Sequence, residues 1–282
     1  SDVYKRQVKN LEYTYVHYVK DGIFQQLIMI DILFGIIQGI TEFLPISSSG
    51  HLLVLSELFK DNTLNTYEIA FLHLGTFFSI LIYYFKDIFL ILKNRNSLIQ
   101  IFKLIAIGVM PAAAFGLFLP ISNLIDESSA ILVITAIAYI FIASVLYFAD
   151  KLEEGDKSIL DLSLKESLTI GFAQALALFP GVSRSGITLS TALYLKLKKT
   201  EARFFSLLLG LPTIFGAWLL TFVQATEPID NSLWIPCIAA FLSGLVAIRV
   251  LINFTVSSKL NVFSIYCFLM GLISLGTYLI NL

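Results

Sequence analysis

"TEFLPISSSGHLLV", residues 41–54, sets a carboxylate, a proline, three consecutive serines, a glycine and a histidine between strongly apolar flanks. "FPGVSRSGITLS", residues 179–190, does the same further on, with an arginine among its serines. Proline and glycine interrupt the backbone hydrogen-bond ladder of a helix. Backbone groups freed in this way at membrane depth are tolerated only inside protein or beside a wet cavity. Each break divides an apolar region, about 24–59 and about 165–197, into two arms. A helical arm of about 14 residues reaches only ~21 Å, short of a hydrocarbon core of about 30 Å. The two regions are therefore expected to be re-entrant helical hairpins whose tips meet inside the membrane.

That reading needs a membrane, and the composition supplies one. The chain has 282 residues, of which 57% are hydrophobic and 14% charged. Soluble domains carry about 25% charged residues, so this chain could not cover a water-facing surface. Six apolar runs, at about 66–85, 101–119, 129–149, 203–223, 233–254 and 261–281, have the length of spanning helices. The expected fold is an all-α polytopic membrane protein. The formal net charge of −1 gives no reason to expect a nucleic-acid partner. Cys237 and Cys267 lie far apart in apolar runs, with neither disulfide nor zinc spacing. "DVYKRQ" (Asp2–Gln7) matches the translation of a common sequencing-adapter end, so an N-terminal extension, 1–22, is set aside as partly artefactual. The remainder, 23–282, reads as one membrane domain.

The two breaks also resemble each other. "GIIQGITEFLPISSSG" (35–50) aligns with "GFAQALALFPGVSRSG" (171–186) at a constant offset of 174 − 38 = 136. Gly35, Gln38, Phe43, Ser47, Ser49 and Gly50 fall on Gly171, Gln174, Phe179, Ser183, Ser185 and Gly186. Apolar segments alike by chance would match leucine and isoleucine rather than glutamine, serine and glycine in register. Two repeats are expected, about 23–149 and 163–282. Three intervening spans put the hairpins on opposite sides, an inverted topology. Lys86, Lys93, Arg95 and Lys103, and then Lys196, Lys198, Lys199 and Arg203, are cytoplasmic in this scheme, as the positive-inside rule asks. Lys9 and Lys20 fall outside and run against it.

Two tips that meet would share one polar pocket. Ionisable residues within membrane segments are costly and mark functional sites by default. Here they are Glu42, His51 and Arg184, with Gln38 and Gln174 as neutral companions. Gln38 and Glu42 are four apart and share a helix face. Glu42 is the candidate ligand for a divalent cation, Mg²⁺ or Ca²⁺, since such ions near phosphate need only one or two carboxylates. Ser47, Ser48, Ser49 and Gly50 precede one helical arm. Ser183, Arg184, Ser185 and Gly186 precede another, with Thr188 in its first turn. Helix starts favour anions, and an arginine fork suits phosphate oxygens. Two such tips face a group with several negative charges, such as a diphosphate. Helix capping is the simpler account of some of these serines. Histidine is the side chain that ordinarily titrates near neutral pH, so His51 is the candidate proton carrier. His73, within a spanning run, reads as structural or as a support to the site residues, and His17 as uninvolved.

The strings "QGITEFLPISSSGH" (38–51) and "PGVSRSGIT" (180–188) resemble the bacterial undecaprenyl-diphosphate phosphatases, also called bacitracin-resistance proteins. That family shows Glu/Gln-x-x-x-Glu followed by Pro-x-Ser-Ser-Ser/Thr-Gly-His, and later Pro-Gly-x-Ser-Arg-Ser-x-x-Thr. The resemblance implies hydrolysis of undecaprenyl diphosphate to undecaprenyl phosphate and inorganic phosphate, which recycles the lipid carrier for peptidoglycan and other envelope polymers. It carries functional roles to Glu42, Ser48, His51, Ser183, Arg184 and Thr188, and puts Gln38 at the family's first acidic position. It also implies a site facing the outer side of the bacterial plasma membrane. The nucleophile stays open among Ser48, a water positioned by it, and His51. The expected partners are a polyprenyl diphosphate lipid and the membrane, with a homodimer left open. The alternative is a transporter or flippase of polyprenyl phosphate, since inverted repeats and broken helices also serve transport.

Overall fold

The computed structural model describes residues 29–58, 65–118, 130–224, 231–257 and 259–281. The N-terminal extension 1–22, with Lys9, His17 and Lys20, lies outside the described residues. Among the described residues the chain is all-α, without a strand. Helix α1 (29–43) leads through a short turn to α2 (Ser48–Leu58). Then follow α3 (Thr66–Tyr83), α4 (Phe85–Lys93), α5 (Arg95–Phe118) and α6 (Ile131–Asp150). Helix α7 (Leu164–Ala175) runs into a 3₁₀ turn (Leu176–Leu178) and breaks before α8 (Arg184–Tyr194). The chain ends with α9 (Lys199–Gln224), α10 (Trp234–Val256) and α11 (Leu260–Ile280).

Five of these helices, α5, α6, α9, α10 and α11, are long and apolar enough to cross a membrane. A sixth is added if α3 and α4 count as one span, although they bend by 65°. The expected span 66–85 thus stops at Tyr83, and the basic stretch expected as a loop is the separate helix α4, none of whose residues is buried. Helix α5 starts at Arg95 rather than 101, and α9 at Lys199 rather than 203, because polar first turns extend beyond the apolar run. Large apolar side chains such as Ile137, Phe148, Leu242, Ile265 and Leu272 point outward, as lipid-facing positions do.

Local sequence sets several helix starts. Asn65 caps α3, accepting from the Glu68 amide at 2.9 Å while its own amide donates to Glu68 Oε2 at 2.7 Å. Ser163 and Glu166 repeat that reciprocal cap at α7. In the connection before α7, Lys157 Nζ donates to Glu166 Oε1 at 2.6 Å. That bond, with the Ser163 amide, holds the Glu166 carboxyl down to about 2. A lowered carboxyl adds stability above its ordinary value of 4.5 and loses it as pH falls through about 2, so this clasp opens only in strong acid.

Helices associate through small residues and hydroxyls, as expected where lipid competes with any apolar contact. Ser264 and Ser274 on α11 donate to the carbonyls of Ala143 and Leu132 on α6, at 2.6 and 2.8 Å. Ser79 ties α3 to Phe241 O on α10 at 2.8 Å, and Ser167 ties α7 to Leu104 O on α5 at 2.6 Å. At the α5–α7 crossing a Cβ on Gly171 would lie 2.4 Å from Gly108 O and 3.0 Å from Pro111 Cδ. Gly171→Ala is therefore expected to destabilise the protein by about 1–3 kcal/mol, the usual range for overpacking. Thermal unfolding in detergent should show a lower midpoint; an unchanged one would contradict the close approach.

Candidate active site

The two breaks touch. Ser47, in the turn between α1 and α2, adopts φ +65°, a left-handed conformation uncommon for a residue with a side chain. Its Oγ accepts from the Gly181 amide at 3.2 Å, which pins the first break to the second. Gly181 itself has φ +99°. Ser185 Oγ donates to Leu44 O at 3.0 Å, a second tie between the breaks. Arg184, the first residue of α8, forms an ion pair with Glu42 Oε1 from α1. A Cβ on Gly210 of α9 would lie 1.8 Å from Arg184 Nη1, so that glycine makes room for the guanidinium.

Glu42 is the centre of the cluster. Its Oε2 accepts from Ser48 Oγ at 2.6 Å and from Gln38 Nε2 at 3.0 Å, and lies 3.6 Å from His73 Nε2. His73 Nδ1 donates to Ile69 O at 2.8 Å, since a carbonyl can only accept, and this contact orients the ring with Nε2 toward Glu42. Ser48 is thus a hydroxyl whose proton already points at a carboxylate, next to an arginine.

A cavity of about 740 Å³ opens at this cluster. Glu42, Ser47, Ser48, Ser49, His73, Gln174, Ser183 and Arg184 form its polar end. Val109, Ala112 and Leu117 of α5, Leu178, and Leu220 and Val223 of α9 are among the residues of its apolar walls. Two glycines on those walls leave space: a Cβ on Gly216 would meet nothing within 4 Å, and one on Gly116 only Leu178 Cδ2 at 3.8 Å. Gln174 is 2% exposed, and both its amide atoms lack a partner. A buried amide left so costs stability unless a ligand satisfies it.

The structure brings seven of the expected residues to the cavity and keeps six away from it. Gln38 lies behind Glu42, and its Oε1 has no partner. The Gly50 and Gly186 amides are taken by the caps Ser47 Oγ and Ser183 Oγ, at 3.4 and 3.1 Å. Thr188 turns into the protein and meets Ser206 Oγ at 2.6 Å, and Ser185 is spent on Leu44 O. His51, one turn along α2 from Ser48, does not line the cavity and is held against Tyr139 and Tyr266. His73, read from sequence as structural or as a support to the site residues, lines the cavity beside Glu42. The rule that singled out Glu42, an ionisable side chain in an apolar helix, applied to it equally.

Residues 31–273 match the family described as bacitracin resistance protein BacA. This chain belongs to that family. It is 39% identical over 247 residues to the undecaprenyl-diphosphatase of Thermosipho africanus, covering 86% of this chain and 97% of that protein. The undecaprenyl-diphosphatase of Methanococcus vannielii is 38% identical over 250 residues, covering 86% and 98%. Undecaprenyl-diphosphatase 3 of Bacillus cereus is 35% identical over 248 residues, covering 86% and 94%.

In this BacA-family chain the Glu42–Arg184 pair joins the two breaks at the polar end of the cavity. Removing Arg184 strands the buried Glu42 carboxylate; losing one member of a fully buried pair costs about 3–5 kcal/mol, and this pair, with Arg184 part-exposed to the cavity, falls below that. Arg184→Ala is therefore expected to lose activity and stability together. Glu42→Gln combined with Arg184→Gln should recover much of the stability and none of the activity. Thermal unfolding beside phosphate release reads both; a double variant no more stable than Arg184→Ala would refute the pairing.

Proposed function

We propose that this chain is a multi-pass membrane enzyme that hydrolyses undecaprenyl diphosphate to undecaprenyl phosphate and inorganic phosphate. One observation carries the reading. A hydroxyl, a carboxylate and an arginine converge at the polar end of a cavity whose other walls are apolar. A lipid diphosphate has the same division: several negative charges at one end and a hydrocarbon tail at the other. The names of the relatives support the substrate and the reaction class.

The diphosphate lies between the two breaks. Arg184 and the starts of α2 and α8 offset the charge of the distal phosphoryl group, as preorganised donors do for phosphoryl transfer. Ser48 Oγ bonds to the distal phosphorus as its proton passes to Glu42 Oε2. The bond from that phosphorus to the bridging oxygen breaks, and undecaprenyl phosphate leaves. Water then attacks the phosphoserine, releasing inorganic phosphate and restoring Ser48. Gln174 supplies the amide that meets a phosphoryl oxygen. The isoprenoid tail follows the apolar walls toward the lipid.

Among the described residues no three His, Cys, Asp or Glu side chains are grouped to hold a metal ion. Glu42, the carboxylate that lines the cavity, would hold an ion of the Mg²⁺ or Ca²⁺ kind, which takes few protein ligands beside phosphate. When bound, such an ion offsets charge on the diphosphate. The inverted repeat, the bacterial plasma membrane and an outward-facing site complete the proposal. They rest on the 136-residue offset, the loop charges and the family resemblance. Transport of polyprenyl phosphate finds no support in the relatives, which are named as diphosphatases.

The test is phosphate release from undecaprenyl diphosphate by the detergent-purified chain, with and without chelator. Release by the wild type, and a phosphorylated Ser48 on rapid quenching, are the expected results. Absence of release, with labelled lipid crossing a liposome membrane, would overturn the reading in favour of transport.

A further inference from the structure

His51 is the most elaborately held side chain near the two breaks, and it does not line the cavity. It is 6% exposed, enclosed by α2, α6 and α11. Its Nδ1 lies 2.7 Å from Ser47 O and 3.0 Å from Tyr139 Oη; its Nε2 lies 2.7 Å from Tyr266 Oη. The Tyr139 ring meets it edge-on, with centroids 5.9 Å apart. Gly50, one residue before, carries no Cβ where one would come within 2.7 Å of Tyr139 Oη.

The chemistry of these contacts fixes a tautomer. A backbone carbonyl only accepts, so Nδ1 carries a proton and donates it to Ser47 O. Among the described residues no carboxylate touches the ring, so nothing would compensate an imidazolium there. The ring is neutral, and Nε2 accepts from the Tyr266 hydroxyl. Tyr139 Oη also donates to Ser47 O at 3.4 Å, and the His51 amide donates to it at 3.3 Å. Three donors thus converge on the carbonyl of the one residue in the first break with positive φ. That residue's hydroxyl holds the second break, and its neighbour Ser48 meets Glu42.

We propose that His51 is a positioning residue: through Nδ1–H, and with its ring held in place by Tyr139 and Tyr266, it keeps Ser47 in the left-handed conformation that aims Ser48 at Glu42. It neither relays the proton nor becomes phosphorylated, because neither ring nitrogen reaches the cavity. The proposal rests on the diphosphatase reading. Wild-type phosphate release tests that reading separately, before any variant is compared.

Asparagine can donate from Nδ2 to the carbonyl four residues back, as Nδ1 of histidine does here. Glutamine and alanine cannot place that donor. His51→Asn is therefore expected to keep kcat within about tenfold of wild type. His51→Ala and His51→Gln should lose on the order of a hundredfold or more, the scale otherwise reserved for losing a general acid or base. Tyr266→Phe should lower kcat and leave KM unchanged, since it frees Nε2 without touching the cavity. A folded His51→Asn as inactive as His51→Ala would overturn the proposal, as would phosphohistidine at position 51 in quenched wild-type enzyme. If His51→Asn does not fold, ¹⁵N spectra of wild-type enzyme decide. A protonated Nδ1 with bare Nε2 supports the proposal, and a protonated Nε2 overturns it.

Discussion

The ion pair between Glu42 and Arg184 is the contact on which the arrangement rests. Each charge sits at a broken helix in an otherwise apolar chain, and neither could stay there alone at a tolerable cost. Pairing them requires that the two breaks meet, although they are 142 residues apart. Once they meet, the freed backbone groups of both turns find partners in each other. The Gly181 amide goes to Ser47 Oγ, and Leu44 O receives Ser185 Oγ. The surrounding helices are shaped to allow this approach, with Gly210 leaving the guanidinium its place and Gly171 letting α7 reach α5.

Where the polar residues gather was legible because charge and backbone disruption are both expensive in an apolar setting. That logic placed the breaks, found Glu42 and Arg184, and set most spans to within a few residues. It failed where the cost was spread thinly. The end of α3 at Tyr83 and the separate helix α4 follow a 65° bend that no proline or glycine announces. It also could not say which face of a short helix looks inward. Ser48 and His51 are three residues apart on α2, yet one meets Glu42 and the other meets α6 and α11. Thr188 on α8 is turned away by the same uncertainty of rotation, toward Ser206 on α9. Rotation about a helix axis is decided by tertiary neighbours, and Tyr139 and Tyr266 lie too far along the chain to be connected with His51 by spacing.

The residues around the site divide into those that the proposed chemistry uses and those that hold the two turns. Glu42, Ser48 and Arg184 face the cavity and are bonded chiefly to one another. Ser47, Ser183 and Ser185 spend their hydroxyls on amides, a carbonyl and each other, so the serine-rich strings are mostly architecture. A reactive hydroxyl can be aimed only if the turn beneath it is rigid, and here that turn is held from both the carbonyl and the side-chain end of Ser47.

Gly116 and Gly216 add one more property to the apolar walls. Both face the passage, and a side chain begun at either would project into open space. The bore can therefore be narrowed one residue at a time with neither the helix packing nor the charged end disturbed. On the proposed seating of the lipid tail, calibre and reactivity are separately adjustable, and single substitutions at these two glycines would alter tail preference while the charged end stays fixed.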